Sequence, residues 1–137
     1  MDFMERLCEE VNKFPEMPIL CKMGYLGSGE SFVVFPLPGS TAVRTFMDGA
    51  KEVALNYEFA MKSKEQSKIH ATLWKVQDGL SRIENIISAD YSFEFEGITV
   101  TNKPFISQLD EQGWFVFLLD IKANIIVFND KEEINNG

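Results

Sequence analysis

The stretch NYEFAMKSKEQSKIHATLW, residues 56–74, changes its hydrophobic period in the middle. Val53, Leu55, Tyr57, Phe59 and Met61 alternate with Ala54, Asn56, Glu58, Ala60 and Lys62, the pattern of a strand packed on one face and solvated on the other. From Ile69 the apolar residues recur every third or fourth position, through Leu73, Val76, Leu80 and Ile83 to Ile87, which is the stripe of an amphipathic helix. Ser63 with Gln66 three residues later reads as a capping box, so a strand is expected to feed directly into a helix over 64–87, with Gly79 its one weak point. The helical spacing is similar to a coiled-coil seam but spans fewer than three heptads, which favours packing on a sheet over a zipper. A strand and a helix that must each bury one side, joined by a tight turn, restrict the chain to architectures that lay helix on sheet.

The flanking segments extend this layout. Phe3, Leu7, Val11 and Phe14 share one helical stripe over 2–14, with Glu5, Glu9 and Glu10 facing away and Pro15 stopping the helix. Two apolar runs, 19–26 and 31–37, are separated by GSGE and read as a hairpin, with Gly27 and Gly29 free to take positive φ. PLPGSTAVRTFMDGAKEV shows no clean period until Val53 and reads as a first long loop. YSFEFEGITVT alternates again, with a bulge expected near Gly97, and NKPFISQLDEQG reads as a second long connection because Pro104 cannot donate to a ladder. In WFVFLLDIKANIIVF the odd positions from Phe115 to Val127 are all apolar, while the even ones turn polar at Asp120, Lys122 and Asn124. Fully extended it would span roughly 50 Å, so a bend near Asn124 or a projection beyond the sheet is expected. The expectation is one α+β domain over 1–129, a mainly antiparallel sheet with the N-terminal and 64–87 helices on one face, and a frayed polar tail at 130–137.

Charge narrows the partners. Thirteen basic against 21 acidic residues give a net charge of −8, which disfavours binding to a phosphate backbone or to an anionic membrane surface. The start MDFMERLCEE is too acidic for a signal peptide and no apolar run approaches 18 residues, so an intracellular protein with Cys8 and Cys21 reduced is expected. Twelve phenylalanines supply an aromatic core with some left over for a subunit interface.

A search for chemistry finds little to build on. His70, the one histidine, lies mid-helix without a sequence neighbour to make it a base or ligand. Cys8 and Cys21 lack the partners of a zinc set, and GYLGSGES has neither Walker nor dinucleotide spacing. Glu94 and Glu96 alternate with apolar residues and read as a solvated face. No catalytic residue, cofactor or metal is expected.

Three stretches carry a resemblance: FMDGAKEVALNYEFAMKSK; the helix EQSKIHATLWKVQDGL, with Ala71 and Leu73 at small and apolar positions; and PFISQLDEQGWFVFLLDI, a proline-bearing loop, an acidic-glycine turn and an apolar strand. Over about residues 1–128 the chain resembles the tail-terminator proteins, or minor capsid proteins, of long-tailed bacteriophages. The resemblance implies a structural protein of the virion, assembled in the host cytoplasm. It implies a homo-oligomeric, six-fold ring on the head-proximal end of the tail tube. Such a ring ends tube polymerisation and presents a surface to the head–tail connector, with DNA passing through its lumen and no reaction catalysed. An acidic surface would keep such a lumen from gripping its cargo.

A ring needs heterologous contacts that close. The candidates are Arg44, Phe46 and Asp48 in the first long loop and Lys103, Phe105 and Asp110 in the second. A head-completion or connector-joining protein would share size, acidity and the lack of an active site. A small ligand-binding α+β domain would instead show an apolar pocket beneath the N-terminal helix.

Overall fold

The alternating segment becomes β4 (Lys51–Ser63), and the rest of the chain is arranged around it. In the computed structural model, which describes residues 1–128, the elements before it are α1 (Phe3–Asn12), β1 (Lys22–Met23), β2 (Ser31–Pro36) and β3 (Thr41–Thr45). After it come α2 (Gln66–Arg82), β5 (Phe93–Leu109) and β6 (Phe115–Val127). The tail at 130–137 lies outside the described residues. The order across the sheet is β1-β2-β4-β6-β5, with β3 also on β4, and all pairs are antiparallel except β1 with β2. β4 and β6 pair without interruption, from Lys51 opposite Val127 to Ser63 opposite Phe115. On the other edge of β4, β2 takes the half nearer Ser63 and β3 the half nearer Lys51.

The apolar faces read from the sequence meet in one core. Tyr57, Phe59 and Met61 of β4 and Leu119, Ile121, Ala123 and Ile125 of β6 are buried beneath Ile69, Leu73, Val76 and Leu80 of α2. Phe3, Leu7 and Val11 of α1 are fully buried in the same core, and the Phe3 ring stands edge-on to Phe93 at 5.2 Å. Each such side chain contributes roughly 1.5–3 kcal/mol on leaving water. This is the expected α+β fold, with helices on one face and the other face of the sheet uncovered. β6 does not break at Asn124; its partner gives way instead, with β5 shifting register between Phe95 and Gly97, where the bulge was expected.

Several expectations need correction. The helix stops at Arg82, because Ile83 already has extended backbone (φ −69°, ψ 129°), and Ile86 rather than Ile87 then turns into the core. No capping box forms: Ser63 still belongs to β4, and its hydroxyl accepts from the Glu65 N–H at 3.0 Å while donating to Glu30 at 2.6 Å. Glu30 also pairs with Lys68 at 2.7 Å, and that ammonium, with the Ser63 hydroxyl, holds the carboxyl below the usual range. The clasp joins the start of β2 to the start of α2.

The runs at 19–26 and 31–37 are not a hairpin, since β1 runs parallel to β2. The Asn12 side chain explains the placement: it accepts from the Cys21 N–H at 2.7 Å and donates to the Cys21 carbonyl at 2.9 Å, pinning this segment to the end of α1. Gly24, rather than Gly27 or Gly29, has positive φ. Both supposed long loops contain strand: β3 falls in the first, and β5 runs through most of the second. Pro104 is tolerated because β5 is an edge strand and the proline sits where its register shifts, between Asn102 and Phe105.

Candidate assembly interface

Two hairpin turns share one construction. In the β3–β4 turn the Phe46 N–H donates to the Ala50 carbonyl at 2.8 Å and the Gly49 N–H to the Phe46 carbonyl at 3.0 Å. In the β5–β6 turn the Asp110 N–H donates to the Trp114 carbonyl at 3.0 Å and the Gly113 N–H to the Asp110 carbonyl at 3.2 Å. Gly49 and Gly113 both have φ near 90°, the left-handed position of a three-residue hairpin loop. Aspartates brace both turns from within: Asp48 Oδ1 accepts from the Ala50 N–H at 2.9 Å, and Asp110 Oδ1 from the N–H groups of Gln112 and Trp114 at 2.9 and 3.0 Å.

The six candidate residues therefore occupy two sites. Arg44 lies on β3, pairs with Glu52 at 2.8 Å and carries its guanidinium 5.4 Å from the centre of the Phe46 ring. Phe46 and Asp48 are in the turn beyond it, next to fully exposed Met47. Lys103 and Phe105 are on β5, and Asp110 opens the β5–β6 turn. The register of β4 on β6 places one turn at the Lys51–Val127 end and the other at the Ser63–Phe115 end. About 40 Å of strand separates them, so these residues form two patches rather than one.

The second patch is the larger. From residue 101 to 112 every side chain is exposed or half-buried, while the paired half of β6 stays on β4 with Val116, Phe117 and Leu119 buried, so the distal half of β5 and the turn that follows form an uncovered outer edge, the arm. Ile106 and Leu109 pair with Phe117 and Phe115 on the helix side of the sheet, and Phe105 pairs with Leu118 on the open side. The arm therefore shows apolar groups on both faces, with Phe105, Ile106 and Leu109 39%, 51% and 58% exposed. Trp114, which closes the turn at its tip, lies within 5.2 Å of Lys62 and 5.0 Å of Lys64. At the far end, exposed Tyr91 and Phe128 accompany Met47. The exposed apolar residues at 20, 23 and 25 escaped the sequence reading, because a short apolar run does not tell a buried strand from an uncovered edge.

The open face carries one unusual pair. Glu58 and Asp120 stand directly opposite each other on β4 and β6. Asp120 Oδ2 accepts from Asn102 at 2.8 Å, while its Oδ1 is buried without a donor. Partial burial and the facing Asp120 push the Glu58 carboxyl up to about 7, so near neutrality a protonated Glu58 is the group that can donate to that oxygen.

Elsewhere the chemistry is sparse. His70 is exposed on α2 with its ring edge-on to Phe117 at 5.2 Å. Cys8 and Cys21 are buried free thiols, and the Cys8 thiol donates to the Cys21 carbonyl at 3.2 Å. Among the described residues no group of three or more histidine, cysteine, aspartate or glutamate side chains is placed to hold a metal ion, and no helix is long and apolar enough to cross a membrane.

The model of the family described as "Bacteriophage tail terminator protein" matches residues 12–126, from the end of α1 to the last turn of pairing in β6. The chain belongs to the bacteriophage tail terminator family. The tail terminator match takes in both hairpins and α2, the segments on which the sequence resemblance rested. Among solved structures, the fold is similar to a chain of the "Virion of native gene transfer agent (GTA) particle", with a TM-score of 0.56 and 10% identity over 88% of this chain and 84% of that one. No curated protein matches the sequence. As a member of a tail terminator family, the chain is a structural protein of the phage virion.

Proposed function

We propose that six copies of this chain form a ring on the head-proximal end of the phage tail tube, where the ring ends tube polymerisation and joins the tube to the head connector. The family match over residues 12–126 carries this reading. The form of the molecule supports it: apolar patches lie at both ends of a rigid β4–β6 ribbon, as a part that meets one neighbour below and another above requires. The face of α1 that could have roofed a ligand pocket is filled by its own side chains. Residues Arg44, Phe46 and Asp48 at one end, and Lys103, Phe105 and Asp110 at the other, serve as contact residues rather than catalytic ones. The net charge of −8 disfavours retention of DNA in the lumen.

The test is polymerisation of purified tube subunits with and without this chain, read by electron microscopy. Tubes that stop growing and carry a ring at one end are the expected result. Unchanged tube growth, together with binding to isolated connectors, would move the chain to a head-completion role.

A further inference from the structure

We propose that the ring closes by insertion of the β5–β6 arm of one copy into a groove on the β1–β2 edge of the next. The inference rests on the ring reading above and names the surfaces that make the ring. The arm's outer edge is a poor template for adding a strand. Lys103 and Pro104 interrupt it, and its register shifts at four points along β5. Its contacts must therefore be made by side chains, and Phe105, Ile106 and Leu109 are already in the open. A strand with apolar groups on both faces belongs between two layers, and on this strand those groups are left largely uncovered.

The matching groove, of about 500 Å³, lies along β1 and the start of β2. Leu20, Met23 and Tyr25 line it while remaining 63%, 47% and 77% exposed. Its rim is basic. Lys22 is exposed on β1, and Lys62 reaches the carbonyls of Gly27 and Ser28 at 3.4 Å, while the carboxylate of Glu30 is already engaged by Lys68. The arm ends in Asp110 and Glu111, so an acidic tip meets Lys22 and Lys62 at the groove in a chain that is acidic overall.

The register of the sheet favours a ring over a filament. Val33 on β2, Ala60 on β4, Leu118 on β6 and Phe105 on β5 lie in one unbroken row of paired residues across the sheet. Phe32, Met61, Phe117 and Ile106 form the adjacent row, and Ser31, Lys62, Val116 and Gln108 the one after it. Groove and arm thus stand at the same height on opposite edges. A copy related by rotation about an axis along the strands brings one to the other with no rise, and a heterologous contact without rise can close.

The test uses the full chain, with Ile106→Asp disabling the arm and Leu20→Asp the groove; both residues are exposed, and circular dichroism checks folding. Sedimentation velocity should show wild-type rings, and each variant alone should associate about a hundred-fold more weakly. Mixed in equal amounts, the two variants should give a 1:1 dimer and nothing larger, because one intact arm then meets one intact groove. Leu109→Asp and Met23→Asp replace any variant that fails to fold. Rings that persist in both variants would overturn the arm–groove contact and leave the ring itself standing. Two folded variants that do not dimerise on mixing would also overturn it. A wild-type chain monomeric at millimolar concentration would do the same, while ring formation on tube ends remained a separate measurement.

Discussion

Gly79 looks like a defect in an otherwise good helix, and replacement by alanine should gain about 1 kcal/mol of helix propensity. The surroundings reverse that sign. A Cβ at residue 79 would stand 2.5 Å from two ring carbons of Phe14, so the ring that packs α1's exit against α2 would have to leave. Forcing a methyl group into that contact costs roughly 1–3 kcal/mol in shifted side chains and backbone. Gly79→Ala should therefore lower stability by about 1 kcal/mol in urea unfolding, yet raise it by a similar amount in a Phe14→Ala background. A double-mutant cycle with no such reversal would show that the ring moves aside freely. Glu58 makes a second prediction at this scale. Its folded pKa of about 7 lies above the ordinary carboxyl value of 4.5, so between those values the folded state binds the proton more firmly than the unfolded chain does. That stabilisation is present below about pH 4.5 and is lost as pH rises through 7. The thermal midpoint should decline over this window, and Glu58→Gln, which stays neutral and can still donate to Asp120, should flatten the decline.

At the level of elements, the turns follow the backbone rather than the glycine count. Gly113 sits at φ 90° with nothing within 4 Å of an added Cβ, so Gly113→Ala costs conformational strain alone, about 1–2 kcal/mol. Gly27 has the same open space without the positive φ, and Gly27→Ala should be neutral or stabilise by up to about 1 kcal/mol. Urea midpoints of the two variants should therefore separate in opposite directions. The same contrast explains what the sequence could reveal. The alternation of β4 and the odd face of β6 were legible because each has one buried side, which forces a period of two into the residues. β3 is exposed along its whole length and the arm nearly so; with no inside, neither carries a period, and both read as loops. The candidate residues stand out in the sequence as polar and aromatic groups between periodic segments, but their separation to opposite ends of the sheet does not. That follows from the long-range β4–β6 register, which one strand's pattern does not encode.

For the whole molecule, the question is how copies that each carry a charge of −8 come together. Two such charges roughly 30 Å apart in water repel by about 9 kcal/mol without screening. The Debye length falls from about 30 Å at 0.01 M salt to about 10 Å at 0.1 M, which removes most of that repulsion between neighbouring copies. Acting against this is the attraction between the acidic arm tip and the basic groove rim, which salt also weakens. Those groups are exposed, however, and an exposed pair is worth about 0–1 kcal/mol. The general repulsion is the larger quantity, and its relief wins. Self-association should therefore strengthen by at least about ten-fold between 0.01 and 0.15 M salt and then level off, as read by sedimentation equilibrium. Association that instead weakens steadily with salt would mean that charge pairs, not the apolar side chains of the arm, hold neighbouring copies together. Ile106→Asp would then disturb the ring less than Glu111→Lys.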